Sequence, residues 1–499
     1  MDDFNTLPLP SVSSSSPAPS SPPAVPTLPT LPTLPIRRGN LMDFPEDPVA
    51  CMRSLQREFG DLAVLEENGQ RIAFVFSPEL NRRVLTDPAR FHSRFFAVRG
   101  GRRSAQRRVT SGLLSVNGSE HRDARRIMMD VFAKKVLPEY HQTIVDMTTD
   151  LMSDWTTGER HDLNEEMVTF MVRMTGALLF GITDGAYSEE LGTRIDHWVR
   201  QNHRVGMGAL VASEEYTSQY EQLLSMADEL EVSIQEMFRR HRQAGDAGRP
   251  DVLSLMFRAQ GTERELSDEK LVGHATLTFA AAHLTTAHTL SWTLFLLAQH
   301  PEVARRLQSE LTACAAGSTP TYQELQSCTY LEWVIKESMR VLPASSYSQR
   351  VAVESVELGP LTLPPGTPVI FSQFMTHHRE DIFADHGVFR PERWETASPS
   401  AYEYLPFGAG SRMCIGASLA MVELRTILAV LLRQWQFQIV PNSVVDGRVI
   451  ATMLGPTSTV ESRLLPAGQF AHTVPVLGSI HGLVDLPAAA RPTIIRRAA

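Results

Sequence analysis

The sequence predicts a mainly α protein with small β-sheets, and three observations carry that prediction. Apolar residues recur at helical spacing over long stretches, behind Cys414 as Ala420, Leu424, Ile427, Leu428 and Leu431, and within residues 140–260 as stripes such as Met167, Phe170, Met171 and Met174. Runs with strand character are short and lie apart, at residues 72–76, 351–363, 367–371, 436–440 and 444–450. Punctuation agrees with both: Ser77-Pro78-Glu79 opens a helix, His300-Pro301 closes another, and Pro364-Pro365-Gly366 is a turn between strands.

The chain has 499 residues, 43% hydrophobic and 21% charged, enough to bury a large core. Length alone suggests about three domains. A formal charge of -9 gives no support to a nucleic-acid binder. The four cysteines, Cys51, Cys314, Cys328 and Cys414, are too few and scattered for a disulfide framework and contain no C-x-x-C pair, so a reducing cytoplasm is expected. No apolar run approaches the ~18 to 20 residues of a membrane span, and the N-terminus lacks the basic and apolar segments of a secretory signal. Residues 1–36 are rich in Pro, Ser, Thr and Leu, including the repeat at 27–35, and predict an extended, solvated tail.

One stretch points to chemistry. In Phe407-Gly408-Ala409-Gly410-Ser411-Arg412-Met413-Cys414-Ile415-Gly416, three glycines let the backbone press against something flat and bulky. A helix begins beside the sulfur, and its free N–H groups favour a thiolate. Arg412 offers a cation for a carboxylate such as a porphyrin propionate. A lone cysteine is more often a small buried hydrophobe. The whole pattern, however, resembles the haem-binding loop of the cytochrome P-450 family, F-x-x-G-x-R-x-C-x-G, at every fixed position.

Three further motifs follow that family's order. Residues 266–298 predict one long helix, with Ser267-Asp268-Glu269 as its start. Its centre, Ala281-Ala282-His283-Leu284-Thr285-Thr286, is similar to A-G-x-[DE]-T-T. Ala282 stands where the family has glycine, and Leu284 where it has an acid; His283 lies about 100° away around the helix and need not substitute. Glu337 and Arg340 share one helical face as E-x-x-R, with Pro343 closing that helix. Phe389-Arg390-Pro391-Glu392-Arg393-Trp394 matches F-x-P-E-R-W.

The resemblance implies one haem domain with the cytochrome P-450 fold at residues 39–466, a tail at 1–38, and a C-terminal extension at 467–499 whose order the sequence leaves open. It implies haem b with Cys414 as axial ligand, and Phe407, Arg412, Gly416, His121, Arg125 and Arg350 as further cofactor contacts. His121 and Arg125 open a helix expected to reach Phe132. Thr285 and Thr286 are the expected catalytic hydroxyls, and Glu337, Arg340 and Arg393 a buried ion network. Phe279, Ala281, Ala282, Leu284, Ser345, Ser346 and Leu454 are expected to line the substrate pocket, Leu454 within a loop at 453–459. The expected activity is monooxygenation of a lipophilic small molecule in secondary metabolism or lipid oxidation. A separate ferredoxin or flavoprotein reductase would supply electrons to a monomeric, soluble, bacterial-type enzyme with no membrane anchor. Leu284 keeps open a peroxide-driven oxygenase or an isomerase, and a non-catalytic haem protein is the second alternative. Arg99, Arg102, Arg103, Arg107 and Arg108 read as a mobile, solvated run rather than as an anion site. Arg122, Arg126, Lys134 and Lys135 suit an acidic electron donor or, nearly as well, ordinary solubility, and His377-His378 reads as scaffold rather than as a metal pair.

Overall fold

The computed structural model describes residues 34–94, 98–208, 215–245, 251–260, 268–315, 317 and 319–488. Most of the expected tail, residues 1–33, lies outside them. Its last expected residues belong to the fold: Val64 N–H donates to Pro35 O at 2.7 Å, and Ile36–Arg38 is a strand paired in parallel with Leu62–Glu67.

Helices dominate, as the apolar spacing predicts. Leu163–Phe180 packs against Leu284–Gln299, and Ala417–Gln434 against Leu137–Leu151. Their shared interior is built from fully enclosed aromatic and aliphatic side chains, among them Trp198, Trp292, Phe279 and Phe295. Each such side chain contributes roughly 1.5 to 3 kcal/mol by leaving water.

A six-stranded sheet runs in the order Ile36–Arg38, Leu62–Glu67, Gln70–Val75, Pro368–Phe371, Ser348–Ala352, Phe91–His92. Its central hairpin turns at Asn68 and Gly69, both at positive φ, which matches the twist of paired strands. The stretch 351–363 is not one strand. It supplies the end of Ser348–Ala352 and then the hairpin Val356–Leu358/Leu361–Leu363, reversed at Gly359 with φ +57°. Likewise the stretch 444–450 is a strand only from Gly447 onward. The strand Gly447–Ile450 starts there and reverses at Ala451 (φ 58°) into Met453–Pro456, so the expected loop at 453–459 begins as a paired strand.

Two helix limits also differ from expectation. The helix carrying His121 is Gly118–Met128 and stops short of Phe132. The long helix is split: Asp268–Ala282 and Leu284–Gln299 meet at His283, and its expected first residues lie outside the described ones. Residues 467–488 run back over the domain with Val474, Val476 and Ile480 buried, and Asp485 N–H donates to Gly387 O at 2.9 Å. Residues 489–499 lie outside the described chain.

Candidate active site

Around Cys414 the backbone dictates the sequence. Gly410 sits at φ +71°, and a Cβ there would meet Leu85 O at 2.2 Å, so no side chain fits. Cys414 N–H donates to Phe407 O at 2.8 Å, folding the loop onto the start of Ala417–Gln434. The sulfur accepts from the N–H groups of Gly416 and Ala417. Burial pushes the Cys414 thiol up, while the Gly416 N–H, the Arg125 charge and the Ala417 N–H pull it back. Cys414 has accessible surface although protein surrounds it. That surface therefore faces an internal space rather than bulk solvent.

Cations gather beside this space. Arg412 donates to Leu113 O at 3.1 Å, to Asn117 Oδ1 at 2.6 Å and to Val116 O. Burial, together with Arg350 and Arg125, lowers its pKa to about 10. Arg350, on Ser348–Ala352, is buried with its guanidinium 5.2 Å over the Phe371 ring, and burial lowers it to about 10 as well. His121 is pushed down to about 4, first by burial and then by Arg412, Arg125, Arg122 and Arg350. Among the described residues no carboxylate pairs with Arg125, Arg350 or Arg412. A group of positive charges without a counter-ion is unfavourable unless an anion joins it. The residues thus fit a haem: a soft sulfur ligand, and cations for two carboxylates.

Behind the loop lies a closed ion network. Glu337 accepts from Arg340 Nε and Nη2 at 2.9 and 2.8 Å, from Arg393 Nε at 2.8 Å, from Trp394 Nε1 at 3.0 Å and from Arg390 N–H at 3.0 Å. Glu337 and Arg340 have no exposure, so every charge must be met by protein. Arg340 Nη1 also holds His377 O at 3.0 Å, and His377 Nε2 accepts from Leu405 N–H at 3.0 Å, two residues before Phe407. The chain of contacts thus runs from Glu337 to the cysteine loop. His377 is buried and lowered to about 3, chiefly by burial, and belongs to this scaffold; no metal-binding cluster occurs among the described residues.

A sequence model of the family described as Cytochrome P450 matches residues 29–455. The chain belongs to the cytochrome P450 family. P450s are haem-thiolate monooxygenases, and this chain is one by descent. It is 31% identical over 418 residues to cyclooctat-9-en-7-ol 5-monooxygenase of Streptomyces melanosporofaciens, covering 81% of this chain and 88% of that protein. It is 26% identical to pentalenene oxygenase of Streptomyces avermitilis, covering 84% and 93%. Among solved structures, retinoic-acid-bound cyanobacterial CYP120A1 shares the fold with a TM-score of 0.71 at 20% identity, covering 83% of this chain and 93% of that one. No single helix among the described residues is long and apolar enough to cross a membrane.

At the break between the two helices, Ala281, Ala282, Leu284 and Thr285 of this P450 keep accessible surface, and Thr285 Oγ1 donates to Ala281 O at 3.1 Å. Thr286, the other expected hydroxyl, is buried, lies 3.5 Å from Ala282 O and is bonded to Glu423 of the cysteine helix. Phe279, Ser346 and Leu454, expected in the pocket, present no accessible surface to it. All three are fully enclosed, Phe279 against Phe180 and His283, and Leu454 with its carbonyl accepting from Trp292 Nε1 at 3.2 Å. Ser345 retains partial exposure. A cavity of about 650 Å³ lies elsewhere, lined by Phe44, Tyr347, Gln349, Asn202, His203 and Gly206 among others, with no residue of the cysteine loop.

The basic loop is less free than its composition suggests. Arg108 pairs bidentately with Glu231 at 2.5 and 2.6 Å, and Arg99 donates to Ser115 O at 2.6 Å, while Arg102 and Arg103 are exposed. Sequence reasoning missed Asn117 and Glu423. Only Glu423 left a signal, an acid among the apolar positions Leu419, Val422 and Leu424.

Proposed function

We propose that this P450 inserts one oxygen atom of dioxygen into a lipophilic small molecule, by hydroxylation or epoxidation, with haem b held on Cys414. The observation that carries the reading is the set of cations beside Cys414 that has no paired carboxylate among the described residues. We assign the substrate to terpenoid-like molecules, the direction in which the pentalenene oxygenase relative points.

When bound, haem supplies dioxygen binding and activation, with electron density pushed from the thiolate toward O–O cleavage. The protein's part follows from its own groups. Arg125, Arg350, Arg412 and His121 would hold the propionates, and the N–H groups of Gly416 and Ala417 temper the charge on sulfur. Ala281, Ala282 and Leu284 offer apolar surface that orients substrate and excludes water. Thr285 holds a proton at Oγ1, directed at the Ala281 carbonyl, in the accessible part of the helix.

Electrons are assigned to a separate ferredoxin or flavoprotein reductase, for which Arg122, Arg126, Lys134 and Lys135 are the basic candidates, and the enzyme is assigned as a cytoplasmic monomer. Turnover with NAD(P)H and no added partner protein contradicts the first assignment. A spectral screen of terpenoids tests the function: binders convert the resting ferric haem to its five-coordinate form and are oxidised with a reductase system. Leu284, apolar at the position of the acid, favours one second reading, a peroxide-driven oxygenase. Faster product formation with hydrogen peroxide than with the reductase system selects it.

A further inference from the structure

The helix break at His283 is occupied by a buried charge pair that the reaction as described does not use. His283 has no exposed surface. Its Nδ1 lies 2.8 Å from Phe279 O and its Nε2 3.1 Å from Asp196 Oδ1. A carbonyl and an ionised carboxylate can only accept, so both ring nitrogens must donate and the ring is an imidazolium. Asp196 belongs to the helix Gly185–Gly208, and its side chain is 16% exposed, which leaves one end of the pair in touch with solvent. That same helix contributes Asn202, His203 and Gly206 to the 650 Å³ cavity. Asp196 and His203 are seven residues apart, hence on one face, about 20° and about 10 Å from each other. The residue that pins the helix and the residue that lines the cavity share a side.

We infer that Asp196 and His283 form a positioning pair that seats the Gly185–Gly208 helix on the break of the split helix, so that ligand retention depends on the charge of His283. The inference rests on the reading that a lipophilic ligand binds beside Ala281, Ala282 and Leu284. It is distinct from proton delivery, because both nitrogens of His283 are engaged away from Thr285, whose hydroxyl turns to Ala281 O.

Burial works against the charge of His283, but the Asp196 carboxylate and the Phe279 carbonyl outweigh it and hold the imidazole above its usual range. The other ionisable groups facing the pair are His288 on the split helix and Arg200 on the Gly185–Gly208 helix; His288 is lowered to about 4, chiefly by burial, and stays neutral. From Leu163–Phe180 the contact is the uncharged ring of Phe180 on Phe279. With a raised folded pKa, the pair is intact below the unfolded value and is lost as pH rises through the folded one.

The test uses full-length holoenzyme and two readouts. Imidazole NMR, assigned with His283→Gln, follows the titration of His283 in wild type and in Asp196→Asn. Phenylimidazole, a ligand for haem iron, is titrated spectrally against both proteins across pH, and the ratio of their Kd values cancels the ligand's own ionisation. His283 is expected to titrate above the ordinary histidine range in wild type and to fall in Asp196→Asn. The Kd ratio is expected to be on the order of tenfold at acid pH and to approach unity at alkaline pH. The exchanged double variant Asp196→His/His283→Asp is expected to regain tight binding, which a purely steric role does not predict. A His283 titration at or below the ordinary value, or a Kd ratio that is flat with pH, overturns the inference. Loss of the haem spectrum in every protein would instead count against the functional reading, and the NMR titration would still decide the pair.

Discussion

Glu423 shows how a single side chain can be invisible in sequence terms and still constrain the site. It stands nine positions after Cys414 on the helix that begins at the sulfur, is buried, and bonds Thr286 across the interface. Burial raises its pKa from 4.5 to about 8, and the Thr286 hydroxyl only partly offsets this. The folded state therefore keeps a proton that the unfolded chain has already released. Stability relative to a Glu423→Gln variant is fully present below the unfolded value and is lost as pH rises to about 8, on the order of a few kcal/mol. Glu423→Gln should accordingly melt a few degrees higher than wild type near neutral pH and no higher at acid pH, in thermal unfolding of both. At the residue scale, Cys414 and Arg412 were legible because their roles need local backbone chemistry. Asn117 and Thr286 were not, because their partners, Arg412 and Glu423, come from distant parts of the chain. Leu284 was legible only as a departure. Leu284→Glu is expected to raise the fraction of electrons appearing in product rather than as hydrogen peroxide by several-fold, and unchanged coupling would remove the significance assigned to the missing acid.

Among the elements, periodicity found the helices and missed their interruptions. Apolar spacing continues through residues 266–298, yet the helix parts at His283, where the imidazole is drawn to Asp196 on another helix. Tertiary pull of this kind has no local signature. The stretch 351–363 departs from one strand for a related reason, since Gly359 reverses the chain at positive φ inside it, while 444–450 forms a strand only from Gly447 onward. The Glu337 helix was read correctly, since i,i+3 spacing puts Glu337 and Arg340 side by side, but the extent of its network was not. Arg340 and Arg393 together reach the carbonyls of His377, Ala384, Asp385, His386 and Val388, so they gather a whole loop. Glu337→Ala should leave two guanidinium groups buried without their carboxylate. The expected cost is about 3 to 5 kcal/mol, with haem content falling in parallel as the loop at Leu405 loosens. Glu337→Gln, which keeps the shape and half the hydrogen bonding, should fall between; haem content after purification and urea midpoints measure both.

Across the whole molecule, the family motifs secured the architecture while one property emerged only from the assembled chain. Arg125, Arg350 and Arg412 come from a helix, a strand and a loop spread over nearly three hundred positions, and folding brings their charges together around a neutral His121 with no paired carboxylate among the described residues. Such an arrangement costs the apo-protein free energy and returns it when a dianionic cofactor binds, so stability and cofactor affinity are coupled with opposite signs. Arg350→Gln separates the two terms. The buried guanidinium of Arg350 is already pushed down to about 10 by burial alone, and removing it also relieves Arg412 and His121. In the apo-protein the variant should be as stable as wild type or more stable, with the His121 imidazole titrating higher. In the holoprotein it should be less stable, because one propionate has lost its cation, and haem should transfer to apomyoglobin on the order of tenfold faster. Equal destabilisation of both forms would mean that Arg350 is an ordinary packing residue on its strand and that the cations do not act as a single anion-binding set.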